Sequence, residues 1–161
     1  MEPEEFVRFR LWLGKTQAGI SQLLGVSVRA VCAYEGGWRT IPPHVQRQVM
    51  FLGWKRLGRD APHGPCWKVM GCPGECRDGC PAWEFRVGDL CWFINGTHCH
   101  GAVQTTWVEK MNLCRKCKML KPLLKELGSA VPKGSHDRHC GASGKRAKAS
   151  RRGGRGGARR C

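Results

Sequence analysis

The 161-residue chain has no run of the about 18 uncharged apolar residues that a membrane-crossing helix requires, which excludes a spanning helical segment. Its opening stretch, MEPEEFVRFRLWLG, is acidic first and then interrupted by arginines, unlike a secretory leader, so a cytoplasmic protein with no membrane partner is expected. Paired carboxylates in a suitable setting, a Ser-His-Asp order and a phosphate-cradling glycine loop are all missing; nothing supports catalysis, and the chain is read as a non-enzyme. Acidic residues are scarce too, 12 against 28 Lys and Arg, for a formal net charge of +16. The final stretch, PKGSHDRHCGASGKRAKASRRGGRGGARRC, has almost no large apolar side chain and no Phe, Tyr or Trp. It cannot offset its ordering entropy by burial, so residues 133–161 are expected to be a disordered Arg/Gly-rich tail.

The charge is unevenly placed. Residues 1–60 carry +4, residues 61–132 carry +3, and residues 133–161 carry +9. Charge gathered in a tail argues for polyanion contact, and with no aromatic residue to stack on bases that contact is plain electrostatics along phosphates.

What the chain has in its first part is helix punctuation. A first helix is expected from Pro3, with Glu4 and Glu5 at the positive end of its dipole, burying Phe6, Phe9, Leu13 and Trp12 and stopping at Gly14. Thr16 caps a second, QAGISQLL, which ends at Gly25; Ser27 caps a third, VRAVCAYE, which ends at Gly36 and Gly37. A fourth opens around Pro42 and Pro43 and places Val45, Val49, Leu52 and Leu57 on one side. Cys32 is expected as a small buried residue of the third helix. Two short helices joined by a glycine turn form a helix-turn-helix unit.

The order Gln17, Ile20, Ser21, Gly25-Val26-Ser27, Val31, Tyr34, Glu35, Gly37, Pro42 resembles the lambda-repressor/Cro-like (Xre) DNA-binding domain over residues 6–53. The resemblance implies double-stranded DNA as partner. It implies that Val28, Arg29 and Ala33 face base edges from the third helix, with Ser27 and Arg39 at its two ends. Gln17 and the backbone around Gly36 would hold phosphates. Arg29 is the one strong base reader, its fork suiting guanine O6 and N7. Many members of that family bind paired half-sites as homodimers, but the usual fifth helix has no visible counterpart here, so a homodimer is left open.

Cysteine dominates the middle. Of eleven cysteines, eight lie at 66, 72, 76, 80, 91, 99, 114 and 117, together with four of the seven tryptophans. In a reducing compartment so many thiols read as metal ligands rather than a disulfide framework. The closing Cys114-Arg115-Lys116-Cys117 is a C-x-x-C pair, a common half of a zinc or iron–sulfur site. His98 and His100 flank Cys99 and could substitute as ligands, although a histidine in such a loop is more often solvated. The doubled CW at 66 and 91, the CPA at 80 and GTHCHGAVQ leading to the C-x-x-C resemble the two-CW domain, a small bacterial cysteine-rich module often attached to sensory or regulatory proteins. Cys66, Cys72, Cys80, Cys91, Cys99, Cys114 and Cys117 match its pattern and Cys76 is an addition. Eight ligands would fill two tetrahedral zinc sites; seven would hold one four-cysteine iron–sulfur cluster with a remainder.

The expected fold is therefore a mainly α N-terminal helix-turn-helix bundle, followed by a small irregular cysteine-rich metal-stabilised module and a disordered basic tail. The expected divisions are residues 1–58, a linker at 59–65, the cysteine module at 66–120, a short amphipathic helix at 121–132 and the tail at 133–161. Pro122 should kink or divide the helical stretch CRKCKMLKPLLKELG. The expected function is a sequence-specific DNA-binding transcriptional regulator whose cysteine module binds zinc, or alternatively an iron–sulfur cluster, and senses metal or redox state. The competing reading is an electron carrier or redox protein in which the helical part is a docking element. On the first reading, deleting residues 133–161 lowers the steepness of the log affinity against log salt plot by about 0.9 for each phosphate that the tail neutralises. Fluorescence anisotropy of the full and shortened chains at a series of salt concentrations checks it, and an unchanged slope removes the tail from the interface.

Overall fold

A computed structural model describes residues 1–58 and 64–130, so the centre of the expected linker and the whole expected tail lie outside the described residues. The local signals place the first four helices. α1 (Pro3–Trp12) starts on its proline with Glu4 and Glu5 in the first turn, and Gly14 follows at φ +67°. Thr16 accepts the Gly19 N–H at 3.0 Å to cap α2 (Gln17–Leu24). Gly25, at φ +63°, reverses the chain in the left-handed conformation that side chains with a Cβ resist. Two residues later Ser27 accepts the Ala30 N–H at 3.1 Å to cap α3 (Val28–Glu35). α4 (Pro43–Leu57) opens on proline.

Phe6, Phe9, Ile20, Val31, Val45, Val49 and Met50 are fully buried between these helices, with Tyr34 at their edge. Trp12, Leu13 and Leu52, expected inside, are only partly buried at the rim.

The cysteine-rich half is built from short pieces. α5 (Cys66–Val69) and α6 (Pro81–Glu84) are single turns, joined through a 3-10 turn at Gly88–Leu90 to an antiparallel hairpin of β1 (Thr97–Cys99) and β2 (Ala102–Gln104). Its two-residue turn, His100–Gly101, has φ of +54° and +78°, positive at both positions as a type I′ turn requires. α7 (Trp107–Cys114) begins with a reciprocal capping box between Thr106 and Glu109. The chain then turns through the C-x-x-C and restarts as α8 (Lys121–Ala130), so Pro122 divides the expected helix and sits in the first turn of its second part. Residues 131 and 132 lie outside the described residues.

One buried apolar cluster crosses the line that composition draws between the halves. It contains Trp92, Trp107, Met111, Leu120, Leu123 and Leu127 together with Phe9, Trp54 and Leu57. The Trp54 and Trp92 rings meet edge-on with centroids 5.9 Å apart, and Phe51 meets Phe93 at 5.7 Å. Buried polar bonds run the same way: Trp107 Nε1 donates to Gln46 Oε1 at 2.9 Å, and Arg47 donates to Asn95 Oδ1 at 2.9 Å.

Gly53 of α4 faces side chains of both α1 and α8. A Cβ there would stand 2.9 Å from Phe9 Cε1, 3.0 Å from Trp12 Cζ3 and 3.2 Å from Leu123 Cδ1. Gly-to-Ala exchange inside a helix ordinarily gains about 1 kcal/mol. Gly53→Ala reverses that sign and costs about 1–3 kcal/mol through overpacking. Urea unfolding followed by tryptophan fluorescence measures it; a stabilised variant would show that the three helices have room to spare.

Candidate functional site

The eight cysteines of the middle segment arrive from separate elements. Cys66 heads α5, Cys72 and Cys76 lie on the following loop, Cys80 precedes α6, and Cys91 follows the 3-10 turn. Cys99 ends β1, Cys114 ends α7 and Cys117 closes the turn before α8. All eight line one cavity of about 260 Å³, with His98 and His100 also on its wall. No disulfide joins the eight cysteines of the cavity among the described residues. Spacing alone does not bring them together; the hairpin and the one-turn helices do.

The wall is tied down by hydrogen bonds from its own chain. The Arg77 guanidinium donates twice to the Cys72 carbonyl, at 3.1 and 2.8 Å, and holds the loop that carries Cys72 and Cys76. The Met119 N–H donates to Cys117 Sγ at 3.5 Å and holds the end of the C-x-x-C turn. Between the two CW cysteines a thiol–thiol hydrogen bond splits their acidities. With Cys91 as donor, Cys66 is drawn down to about 7, and burial opposes the shift without cancelling it. The same bond, together with burial, pushes Cys91 well above the usual thiol range. Burial pushes Cys114 up to about 11 against the pull of the Lys110 ammonium, and burial also raises Cys72, with Cys76 and Cys66 adding to it.

The donor set suits a thiophilic metal, since soft sulfur ligands select zinc and iron–sulfur centres. Among the described residues, however, no three His, Cys, Asp or Glu side chains already stand as a ligand set for one ion. The sulfurs surround a shared space rather than a point. Binding of a single four-coordinate ion would require the walls to close in.

The second candidate surface is the outer side of α3. Val28 is 43% exposed, and Arg29 is exposed with no ion pair or hydrogen bond among the described residues. Ser27 is exposed but its hydroxyl is spent on the helix cap, and Ala33 is partly buried. Arg39 is exposed, with its guanidinium 5.9 Å from the Tyr34 ring centroid.

Two expected phosphate holders are engaged elsewhere. The Gln17 amide donates to Glu35 Oε2 at 2.7 Å, within a network in which Arg10 also clasps Glu35. The N–H groups of Gly36, Gly37, Trp38 and Arg39 all return to carbonyls of α3, so the glycine pair closes the helix and leaves none of these four donors for a phosphate. Cys32 is partly rather than fully buried, and its thiol donates to Gln17 Oε1 at 3.4 Å.

Residues unforeseen from sequence also stand near these sites. Trp38, just past α3, is 78% exposed. Arg115, inside the C-x-x-C, donates to both carboxylate oxygens of Glu5 at 2.9 and 2.7 Å. Lys110 is fully buried behind the cavity wall. Position relative to the cysteines was the only signal for the last two: one lies between Cys114 and Cys117, the other four residues before Cys114.

No family model matches the chain, and neither does any curated protein or solved structure.

The Cys66–Cys91 bond has a chemical readout. In reduced, metal-free protein, alkylation of Cys66 reaches half its maximal rate near pH 7, while Cys91 and Cys114 react only at much higher pH. Peptide mass spectrometry after timed iodoacetamide treatment across a pH series checks it, and an identical pH profile at all eight thiols counts against the pair.

Proposed function

We propose that the protein is a sequence-specific DNA-binding transcriptional regulator whose cysteine-rich half carries a thiolate-bound metal. The observation that carries this reading is the outer side of α3: a capped helix, set after a three-residue glycine turn, that presents to solvent Val28 and an Arg29 without an ion pair among the described residues. A helix of that kind fits the major groove of double-stranded DNA, where an arginine fork recognises guanine. The excess of basic residues supplies the sequence-independent part of binding, and residues 133–161 contribute most of it.

Cys66, Cys72, Cys76, Cys80, Cys91, Cys99, Cys114 and Cys117 are the residues that would hold the metal, and a reducing interior such as the cytoplasm would keep them free to do so. Zinc would supply a structural cross-link there; an iron–sulfur cluster, the alternative, would add a redox response. Either would lend support to the bundle, because Arg115 of the C-x-x-C holds Glu5 of α1 and Trp107 of α7 holds Gln46 of α4. On this reading the metal state of the cavity sets how firmly the helices behind α3 are braced.

Selection of binding sites from a random duplex pool by the full chain tests the proposal. A common sequence motif is the expected outcome, and Arg29→Ala then loses about 1–3 kcal/mol of discrimination at one guanine position, measured by fluorescence anisotropy. Failure to enrich any sequence overturns sequence-specific recognition.

A further inference from the structure

Lys110 is the one lysine fully withdrawn from solvent among the described residues. Its ammonium donates to the Thr97 hydroxyl, which lines the cavity and lies 3.4 Å from Cys99 Sγ. No carboxylate among the described residues pairs with it; the two ion pairs there belong to Arg10 with Glu35 and Arg115 with Glu5. A buried cation without an anion is a costly arrangement, and proteins retain one where a charge of opposite sign is to be met.

The candidates for that charge are on the cavity side. Lys110 and Cys114 are four residues apart on α7, so they share a helix face. The ammonium also acts on Cys66, Cys91 and Cys114, three thiols from three different elements. As neutral thiols these offer it little. As thiolates on a metal they do: four thiolates on one zinc ion, or on an oxidised four-iron cluster, leave a doubly negative centre.

We propose that Lys110 is the built-in counter-charge of an anionic thiolate–metal centre in the cavity, and that it favours ligation by enough thiolates to leave that centre with net negative charge. The proposal rests on the metal-binding reading above. Lys110 is not a ligand. It stabilises the deprotonated, metal-bound state of the sulfurs from behind the wall, with Thr97 fixing the direction of its ammonium.

The consequence is a reversal of sign between the empty and the loaded protein. Lys110→Met keeps the length of the side chain and removes the charge, so the metal-free chain becomes more heat-stable while metal affinity falls. Full-length wild type, Lys110→Met and Lys110→Arg are compared in two measurements: competition for zinc against a chromophoric chelator, and melting temperature with and without metal. The expected loss of zinc affinity for Lys110→Met is about 10–100-fold, the range for residues that support metal ligands from outside, with most of it restored in Lys110→Arg. Where the protein takes up iron and sulfide instead, the same comparison is read from the visible absorption of the cluster. Equal affinity in wild type and Lys110→Met overturns the role of Lys110 and leaves the metal reading intact. So does a Lys110→Met chain that loses as much heat stability empty as loaded, which marks the lysine as a packing residue only. A wild-type chain that binds neither zinc nor a cluster overturns both.

Discussion

The cysteine-rich half cannot bury enough apolar surface by itself, and the rest of the structure follows from that shortage. Its helices α5 and α6 are single turns, and its sheet is a hairpin with three-residue strands. Pieces of that size are unstable alone, because helix nucleation is unfavourable and an isolated hairpin is marginal. What secures them is Trp92, Trp107, Met111, Leu120, Leu123 and Leu127 sinking into the same cluster as the helices of the first half. Each such side chain fully withdrawn from water contributes about 1.5–3 kcal/mol. Near the cavity a smaller cluster remains, composed largely of sulfur: Cys80, Cys91 and Met119 with Ala82. The aliphatic side chains hold the halves together, and the thiols are left facing a space of their own.

Buried charge then refines what apolar burial makes possible. Glu35, at the last turn of α3, is held by Arg10 of α1 and Gln17 of α2. Three helices are thus referred to one carboxylate. An ion pair of this kind adds little net stability compared with a well-packed apolar substitute, but it disfavours alternative packings of the same helices. Its position matters for α3. Val28 and Arg29, in the first turn of the helix, take no part in this network and stay exposed.

The parts legible in the sequence are those governed by neighbours within about four residues. Pro3, Thr16, Gly25, Ser27 and Pro43 each act on the turn in which they sit, and the boundaries of α1 to α4 follow from them. The capping box of α7 was equally legible, since Thr106 and Glu109 have the required spacing, but the cysteines around it draw attention to metal rather than to helix. Long-range pairings carry no such mark. Nothing in the composition relates Arg115 to Glu5, 110 residues away, or Trp107 to Gln46. The internal hydrogen bonds of Gln17 and Gly36 were illegible for a related reason: periodicity tells which side of a helix a group lies on, not whether its hydrogen bonds are already made. The mutual approach of eight thiols belongs to the same class, because it is produced by a hairpin turn with positive φ at His100 and Gly101 and by one-turn helices too short to leave a period.

These pairings also decide where influence between the two halves can travel. From the cavity wall the path runs through the backbone of Cys114 to Arg115, across the bidentate pair to Glu5, along one residue of α1 to Phe6, and edge-on to Tyr34 of α3 at 5.9 Å. Every residue in it is buried or partly buried, and Arg115, with its side chain 34% exposed, is the link most open to solvent. A continuous packed path is necessary for coupling but is not sufficient; one element along it must also have two arrangements whose balance the occupant changes. The turn between α7 and α8 is the segment with that capacity. It starts right after Cys114, carries Cys117, ends before a helix with proline in its first turn, and is tied to the bundle by Arg115. Ligation of Cys114 and Cys117 would fix the turn in one shape and hold Arg115 toward Glu5. Without ligation the same turn is restrained chiefly by the burial of Met119 and Leu120. Under the proposed function, metal state would alter the bracing of α1 before it alters α3, and any effect on DNA binding would be one of degree rather than an exchange of one surface for another.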